Sequence, residues 1–486
     1  MRGAPPPSRA SLAEGQAKKG VRMVEIVIGV LLILTFLGMV WYCVKGHNIM
    51  VGFFVMALLW MGFSLVGNAL VPNPAMEGQS TLKVFQYVFQ TGPENYAKSI
   101  LVNVFFGAFF GRVLMDTGIA ATLIRKVVEL GGDRPKITMT LLCIVTTLIF
   151  TSMTGIGPVI SIAVIVLPIL AALGIPTAVA LFAFMGSIMA GICANVTNFT
   201  QYQGILGGFD PRFLSEYSYS QYFPFAVVMA VVVLVVVTIV SNIAMSGKKS
   251  TRSWAAQAQA AQDNAPWFSW ISVILPVILI VAVKSTDVDP ATGKATVTSF
   301  SVILSFIISA LYALLTTGKL FKGGFTECCR RLAKEFADGA VDVAPMVGFL
   351  LTLSMFSNAA TYAAPYFQAV VGNLIPTSAL AICILFAVVI PLGFFRGPTN
   401  LVGSGTAVAA LVLSVAQWPV AFMYPVLAVA TIVPQHLDIT QSWVAWGLGY
   451  SKVSSRDFMK MTIPTAWIAG AILCLVAFVM YGGLVA

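Results

Sequence analysis

The chain has 486 residues, 58% of them hydrophobic and 9% charged, with a formal net charge of +10 and a mean hydropathy of +0.92. A water-soluble globule with a polar surface does not reach these values, so the composition points to a polytopic membrane protein. The basic excess lies mostly in short loops, with no basic stripe interleaved with aromatics, which sets nucleic acid aside and reads as the cytoplasmic bias of membrane proteins.

In chain order, MRGAPPPSRASLAEGQAKKGVR (1–22) is rich in Pro, Ala, Lys and Arg and has no apolar region. Residues 1–23 therefore read as a disordered leader, neither a signal peptide nor a folded element, ahead of a second methionine, Met23. Apolar segments follow at 24–44, 49–71, 98–124, 137–173, 176–200, 222–244, 267–283, 298–317, 340–364, 377–415, 418–436 and 463–484. A helix of about twenty apolar residues crosses a bilayer, and strands of the barrel type are absent, so the fold is expected to be all-α. Segments 137–173 and 377–415 are twice the usual length and carry Gly, Pro and hydroxyl residues at their middles, TSMTGIGP (Thr151–Pro158) and PLGFFRGPTN (Pro391–Asn400). That pattern predicts two re-entrant helical hairpins. The seven cysteines, Cys43, Cys143, Cys193, Cys328, Cys329, Cys383 and Cys474, lie mainly in apolar spans without metal-ligand spacing and read as packing residues.

The settings of the two tips repeat. Gly107 precedes Gly157-Pro158 by 50 residues, and Gly348 precedes Gly397-Pro398 by 49. Each half has a polar corner before its hairpin (131–136, 372–377) and an apolar helix afterwards that stops at a polar break, ANVTNFTQ (Ala194–Gln201) or VPQHLDITQ (Val433–Gln441). An amphipathic piece, 81–90 or 327–336, precedes each half. Taking Lys248, Lys249 and Arg252, the basic residues of 319–334, and Lys452, Arg456 and Lys460 as cytoplasmic places the two hairpin bases on opposite faces. The expectation is two inverted repeats, about ten transmembrane helices, two re-entrant hairpins and two broken helices.

Tips and breaks leave backbone groups unpaired at membrane depth, where they make ready sites for ions and anions. The candidate substrate residues are Ser152, Thr154, Gly155 and Gly157 on the first tip, Asn195 and Asn198 on the first break, Arg396, Gly397, Thr399, Asn400 and Ser404 on the second tip, and Gln435 on the second break. Arg396 reads as the anion anchor, because its planar fork pairs a carboxylate two-handedly; the plainer readings are snorkelling or a permanent pair with Asp438. Candidate coupling residues are Thr197, His436, Asp438, Thr440 and Asp116, with His436 and Asp438 also suited to capping the broken helix. Arg112 and Asp116, one turn apart, are expected to form an intrahelical pair. The two Asn-x-Thr sequons, at Asn195 and Asn198, lie within the proposed core and are discounted. No hydrolytic motif is present, so no enzyme and no cofactor is expected beyond a coupling H⁺ or Na⁺, with carbonyls and hydroxyls at the tips able to serve Na⁺.

Three stretches, GRVLMDTGIAATLI (Gly111–Ile124), TSMTGIGPVISIAVIVLPILAALGIP (Thr151–Pro176) and the tip Arg396–Ser404, resemble the ion transporter superfamily in its gluconate, citrate and C4-dicarboxylate permease branches. The chain departs from these branches where ANVTNFT replaces the His- and Pro-rich stretch of gluconate permeases and where TSMTGIGP and RGPTN replace the Ser-Asn-Thr tips of the sodium-coupled branch. The resemblance implies a homodimer with fixed scaffold domains and a transport domain moving as an elevator. On that scheme residues 24–97, 208–339 and 451–486 are scaffold, while 98–207 and 340–450 are the transport halves. The function expected is a cation-coupled symporter of a small organic anion, a carboxylate or hydroxycarboxylate, in the lipid of a bacterial inner membrane. The alternative is a Na⁺/H⁺ antiporter of related architecture, against which Arg396 argues.

Overall fold

The structure, a computed structural model, describes residues 9–45, 47–132, 134–245, 264–288, 295–371, 376–403, 405–415 and 418–485. Ser404, the loop cations Lys248, Lys249 and Arg252, and most of the corner at 372–377 lie outside the described residues.

Helix α1 (Arg9–Val44) is followed by α2 (Ile49–Leu70), whose start is capped by Asn48 accepting from the N–H groups of Met50 and Val51 at 3.0 and 3.3 Å. Short pieces come next: α3 (Thr81–Gln86), α4 (Gly92–Tyr96), each followed by a π-helical turn, then α5 (Val102–Asp116) and α6 (Ile119–Gly131). The first hairpin is α7 (Pro135–Phe150) and α8 (Ile156–Ala172). The first broken helix is α9 (Thr177–Cys193) and α10 (Val196–Gly207), bent by 64°. After the short α11 (Arg212–Ser215) come the long α12 (Tyr219–Met245), α13 (Leu275–Ala282), an antiparallel strand pair β1 (Lys284–Val288) and β2 (Ala295–Ser299), and α14 (Val302–Thr316). The second half of the chain opens with α15 (Gly324–Val371), then α16 (Ala379–Val389) and α17 (Gly405–Val415) on either side of the Gly-Pro tip. It closes with α18 (Val420–Gln435), α19 (Ser442–Ser451) and α20 (Ser455–Tyr481).

The protein is thus a multi-pass, almost wholly helical membrane chain. Among the described residues six helices are long and apolar enough to cross a membrane, or eight if each bent pair is one span. Of the ten spans expected apart from the hairpins, 298–317 and 418–436 are the shorter apolar helices α14 and α18 and 267–283 divides into a 3-10 stretch and the eight-residue α13, while the arm Ala379–Arg396 is itself one of the six. Four further expectations are corrected. Residues 9–22, read as part of an unfolded leader, are helical; RASLAEGQAKK is rich in strong helix formers. The 98–124 segment breaks at Thr117-Gly118 with a 56° bend, Gly118 taking the left-handed φ of 74° that glycine adopts without penalty. The amphipathic piece 327–336 and the span after it form one continuous helix, α15, because Gly339 acts as a contact point for the α5 backbone at Ala108 and Phe109. Finally, the β1–β2 hairpin, Lys284 opposite Ser299, links segments 267–283 and 298–317 of a chain expected to be all-α.

The core centres on the two helices that end at the breaks. Every residue of α9 from Val179 to Cys193 and of α18 from Phe422 to Gln435 is buried. A helix apolar on all sides belongs inside others, and α9 packs against α7, α8 and α12 while α18 packs against α16 and α20. Small residues set the spacing: a Cβ at Gly191 of α9 would collide with the Thr147 carbonyl of α7 and lie 2.7 Å from the Phe150 Cβ. Gly191→Ala is therefore expected to destabilise the protein by about 1–3 kcal/mol, read as a lower thermal midpoint in detergent. An unchanged midpoint would contradict the close approach of α7 and α9.

Candidate functional site

The first tip (151–155) is shaped by Gly155, whose φ of 99° suits glycine, and is tied to the first break by Asn195. The Asn195 amide donates to the carbonyls of Phe150 and Met153, 3.0 Å each, while its Oδ1 accepts the Asn198 N–H at 3.1 Å and so caps α10. The Asn198 amide reaches the same Oδ1 at 3.4 Å. Tyrosines serve other carbonyls around the break: Tyr222 donates to Cys193 at 2.9 Å and Tyr219 to Ala194, while Tyr424 donates to the Phe199 carbonyl inside α10 at 3.0 Å. These carbonyls, expected as open ion ligands, therefore already accept hydrogen bonds. Two hydroxyls here, Ser152 Oγ and Thr197 Oγ1, are buried without a hydrogen-bond partner. Thr154 is buried beside them in the chain, and Thr197 packs on Gly107 of α5, where only glycine leaves it room.

The second tip is wound more tightly. Phe395 and Arg396 both take left-handed backbone angles, φ of 57° and 56°, a cost of about 1–3 kcal/mol each for non-glycine residues. The fold offsets it locally. Asp438 Oδ2 accepts the Arg396 N–H at 3.3 Å and the Thr440 hydroxyl at 2.8 Å, and its Oδ1 accepts the Thr440 N–H at 2.9 Å. Thr431 of α18 accepts the Leu401 N–H at 3.0 Å, and Asn400 braces the turn by accepting from Val402 at 2.9 Å and donating to Gly393 at 3.3 Å. Gly397 and Gly403 lie so close to the carbonyls of Leu392 and Arg396 that a Cβ would collide.

Asp438 thus holds Arg396 by its backbone. The guanidinium donates to Gln441 Oε1 and, at 3.4 Å, to the Val402 carbonyl, and its Cζ stands 5.6 Å from the Phe349 ring of α15. Gln441 and Phe349 were missed by sequence reasoning; Gln441 closes the quoted break motif, whereas Phe349 had no local signal. His436 is fully buried, its Nδ1 directed at the Ile432 carbonyl at 3.0 Å and its ring 5.6 Å from that of Trp443. Its Nε2, Gln435 Oε1 and Thr399 Oγ1 are buried without hydrogen-bond partners. The two halves meet where α10 packs against α17, and α15 touches both tips. Among the described residues no group of three or more His, Cys, Asp and Glu side chains is placed to hold a metal ion.

The expected Arg112–Asp116 pair does not form. Arg112 binds Asp342 of α15 through Nε and Nη2, 2.5 Å each, and Asp116 faces Lys319 and Arg331, both at 3.8 Å, across the α5–α6 bend. Both residues lie in α5, ahead of the bend, and each has its partner on another element: Asp342 of α15 for Arg112, and Arg331 of α15 with Lys319, which follows α14, for Asp116. Farther along α15, below its apolar span, Glu335 is pushed up to about 7 by burial and by the negative charge of Asp116.

The fold has a known counterpart. The chain is similar to the crystal structure of the Alcanivorax borkumensis YdaH transporter, reported to have an unusual topology, with a TM-score of 0.61 over 90% of this chain and 99% of that one. At 13% identity the likeness concerns the fold. No protein-family model matches, and no curated protein does.

Two outcomes are expected. Asn195→Ala strands two buried carbonyls and should destabilise the protein by about 1–3 kcal/mol for each one left unpaired, seen as a lower thermal midpoint; a midpoint equal to the parent's would show that the bridge carries no weight. Glu335 has a folded value above its unfolded one, so the stability it contributes is present below the unfolded value and lost as pH rises through about 7. The thermal midpoint of Glu335→Gln should accordingly fall less than the parent's across that window, and parallel pH profiles would refute it.

Proposed function

We propose that this protein is a secondary active transporter of a small organic anion, a carboxylate or hydroxycarboxylate, driven by a proton or Na⁺ gradient. One observation carries the reading. Among the buried side-chain polar atoms without partners in the described residues, five, on Ser152, Thr197, Thr399, Gln435 and His436, gather on the tips and breaks, where a guanidinium is hydrogen-bonded to an amide and a carbonyl. Unpartnered buried polar groups are costly in a resting fold and useful where a polar solute binds. Arg396 supplies the charge that selects an anion, the hydroxyls of Ser152, Thr197 and Thr399 donate to its oxygens, and Gln435 Oε1 and His436 Nε2, whose Nδ1 donates to Ile432, accept from a substrate hydroxyl or a cation.

The paired architecture supports movement of these groups together. In each half a hairpin packs beside a buried helix that ends in a polar break, and a long helix follows, α12 in one half and α20 in the other. We read these as inverted repeats whose tips and breaks form a transport domain sliding as an elevator against a scaffold, within a homodimer in a bacterial inner membrane.

The test is thermal stabilisation of the purified protein by mono-, di- and tricarboxylates, each with and without Na⁺ at two pH values, beside Arg396→Ala. A ligand at 100 times its dissociation constant stabilises the native state by about 2.7 kcal/mol. Stabilisation by one carboxylate class, lost in Arg396→Ala, is expected. A response to Na⁺ or pH alone, with none to carboxylates, would replace this reading with the antiporter.

A further inference from the structure

The Arg112–Asp342 pair has a setting that its role as a salt bridge does not exhaust. Both Asp342 oxygens accept from one guanidinium, 2.5 Å each, and the Asp342 side chain is only 7% exposed. The same carboxylate rests against Gly157 in the first turn of α8, where a Cβ would collide with both oxygens. α8 begins at Gly155 without a side-chain cap, so its first N–H groups and the positive end of its dipole face a region that already holds a carboxylate. In the same tip Ser152 Oγ is buried and has no hydrogen-bond partner. A guanidinium beside a helix start makes an anion seat, and the protein's own carboxylate occupies it.

Position along α15 links this seat to the other tip. Asp342 and Phe349 are seven residues apart, two turns of helix, and therefore share a face about 10 Å long. One end of that face touches the first tip and the other lies under Arg396.

We propose that Asp342 is the coupling carboxylate of this carrier: a substrate carboxylate takes Arg112 from it, and the freed Asp342 takes up the driving cation, a proton or Na⁺. The inference rests on the anion-carrier reading above. Charge balance gives its logic. Empty, the site holds one guanidinium and one carboxylate. Loaded, it holds the guanidinium with the substrate carboxylate, and Asp342 with one monovalent cation. A buried carboxylate stripped of its partner is unstable, so anion binding and cation capture must accompany each other. Arg112 from α5 pairs with Asp342, and Asp338 and Glu335 of α15 act on the same guanidinium, while the first tip and α8 contribute no titratable side chain. Asp438 is placed differently, since three donors employ it in shaping the second tip.

The experiment measures the apparent dissociation constant of citrate, succinate, gluconate and lactate for the full-length protein by thermal shift, across pH and with Na⁺ or choline. Parent, Asp342→Asn and the double variant Arg112→Gln/Asp342→Asn, which removes both charges, are compared. For the parent, affinity should rise about tenfold per unit fall in pH if one proton is taken up, or in proportion to Na⁺ if sodium is. Asp342→Asn should bind at least as tightly with that dependence gone, and the double variant should lose binding. Parent-like cation dependence in Asp342→Asn, or parent-like affinity in the double variant, would overturn the assignment while leaving the carrier reading intact. No carboxylate response in any of the three proteins would remove the carrier reading and this inference together.

Discussion

The rest of the structure depends on how the backbone is satisfied where helices stop inside an apolar core. Unpaired N–H and C=O groups are too costly in hydrocarbon to leave open, and two side chains carry much of that task. Asn195 joins the first tip to the first break through two carbonyls and caps α10 with its oxygen. Asp438 joins the second tip to the second break by accepting the N–H of a left-handed arginine. The halves thus solve one problem with opposite chemistry: an amide donating to carbonyls in one, a carboxylate accepting from N–H and hydroxyl groups in the other.

That difference explains the distribution of charge. The second tip carries its own guanidinium, Arg396, fixed through its backbone so that its side chain lies along the turn toward Gln441. The first tip has no charged residue, and its guanidinium comes from α5, with Asp342 of α15 as partner. α15 is the element common to both, which gives a reason for its being one continuous helix: a break between Asp342 and Phe349 would uncouple the positions of the two tips.

The sequence made the local features legible. Doubled apolar lengths with Gly-Pro centres marked the hairpins, and polar runs ending buried helices marked both breaks, because the cost of stopping a helix in lipid is written in residues next to the stop. Arg396, Asp438, Asn195 and Thr197 were found this way. Pairings across hundreds of residues left no such mark. Arg112 has an acid one turn away in sequence, and only the approach of α15 reveals Asp342 as its partner. Phe349 and the continuity of α15 through Asp338-Gly339 were hidden likewise, since a glycine that reads as a breaker served as a packing contact.

Whether the tips carry an anion with a cation is read from current recorded on a solid-supported membrane bearing proteoliposomes of the purified chain. Carboxylates are applied under an imposed proton or Na⁺ gradient. A transient current or internal pH change is expected on adding one class of carboxylate, scaled by the cation gradient and absent from liposomes without protein. A response to the cation gradient alone, unchanged by every carboxylate, would contradict it.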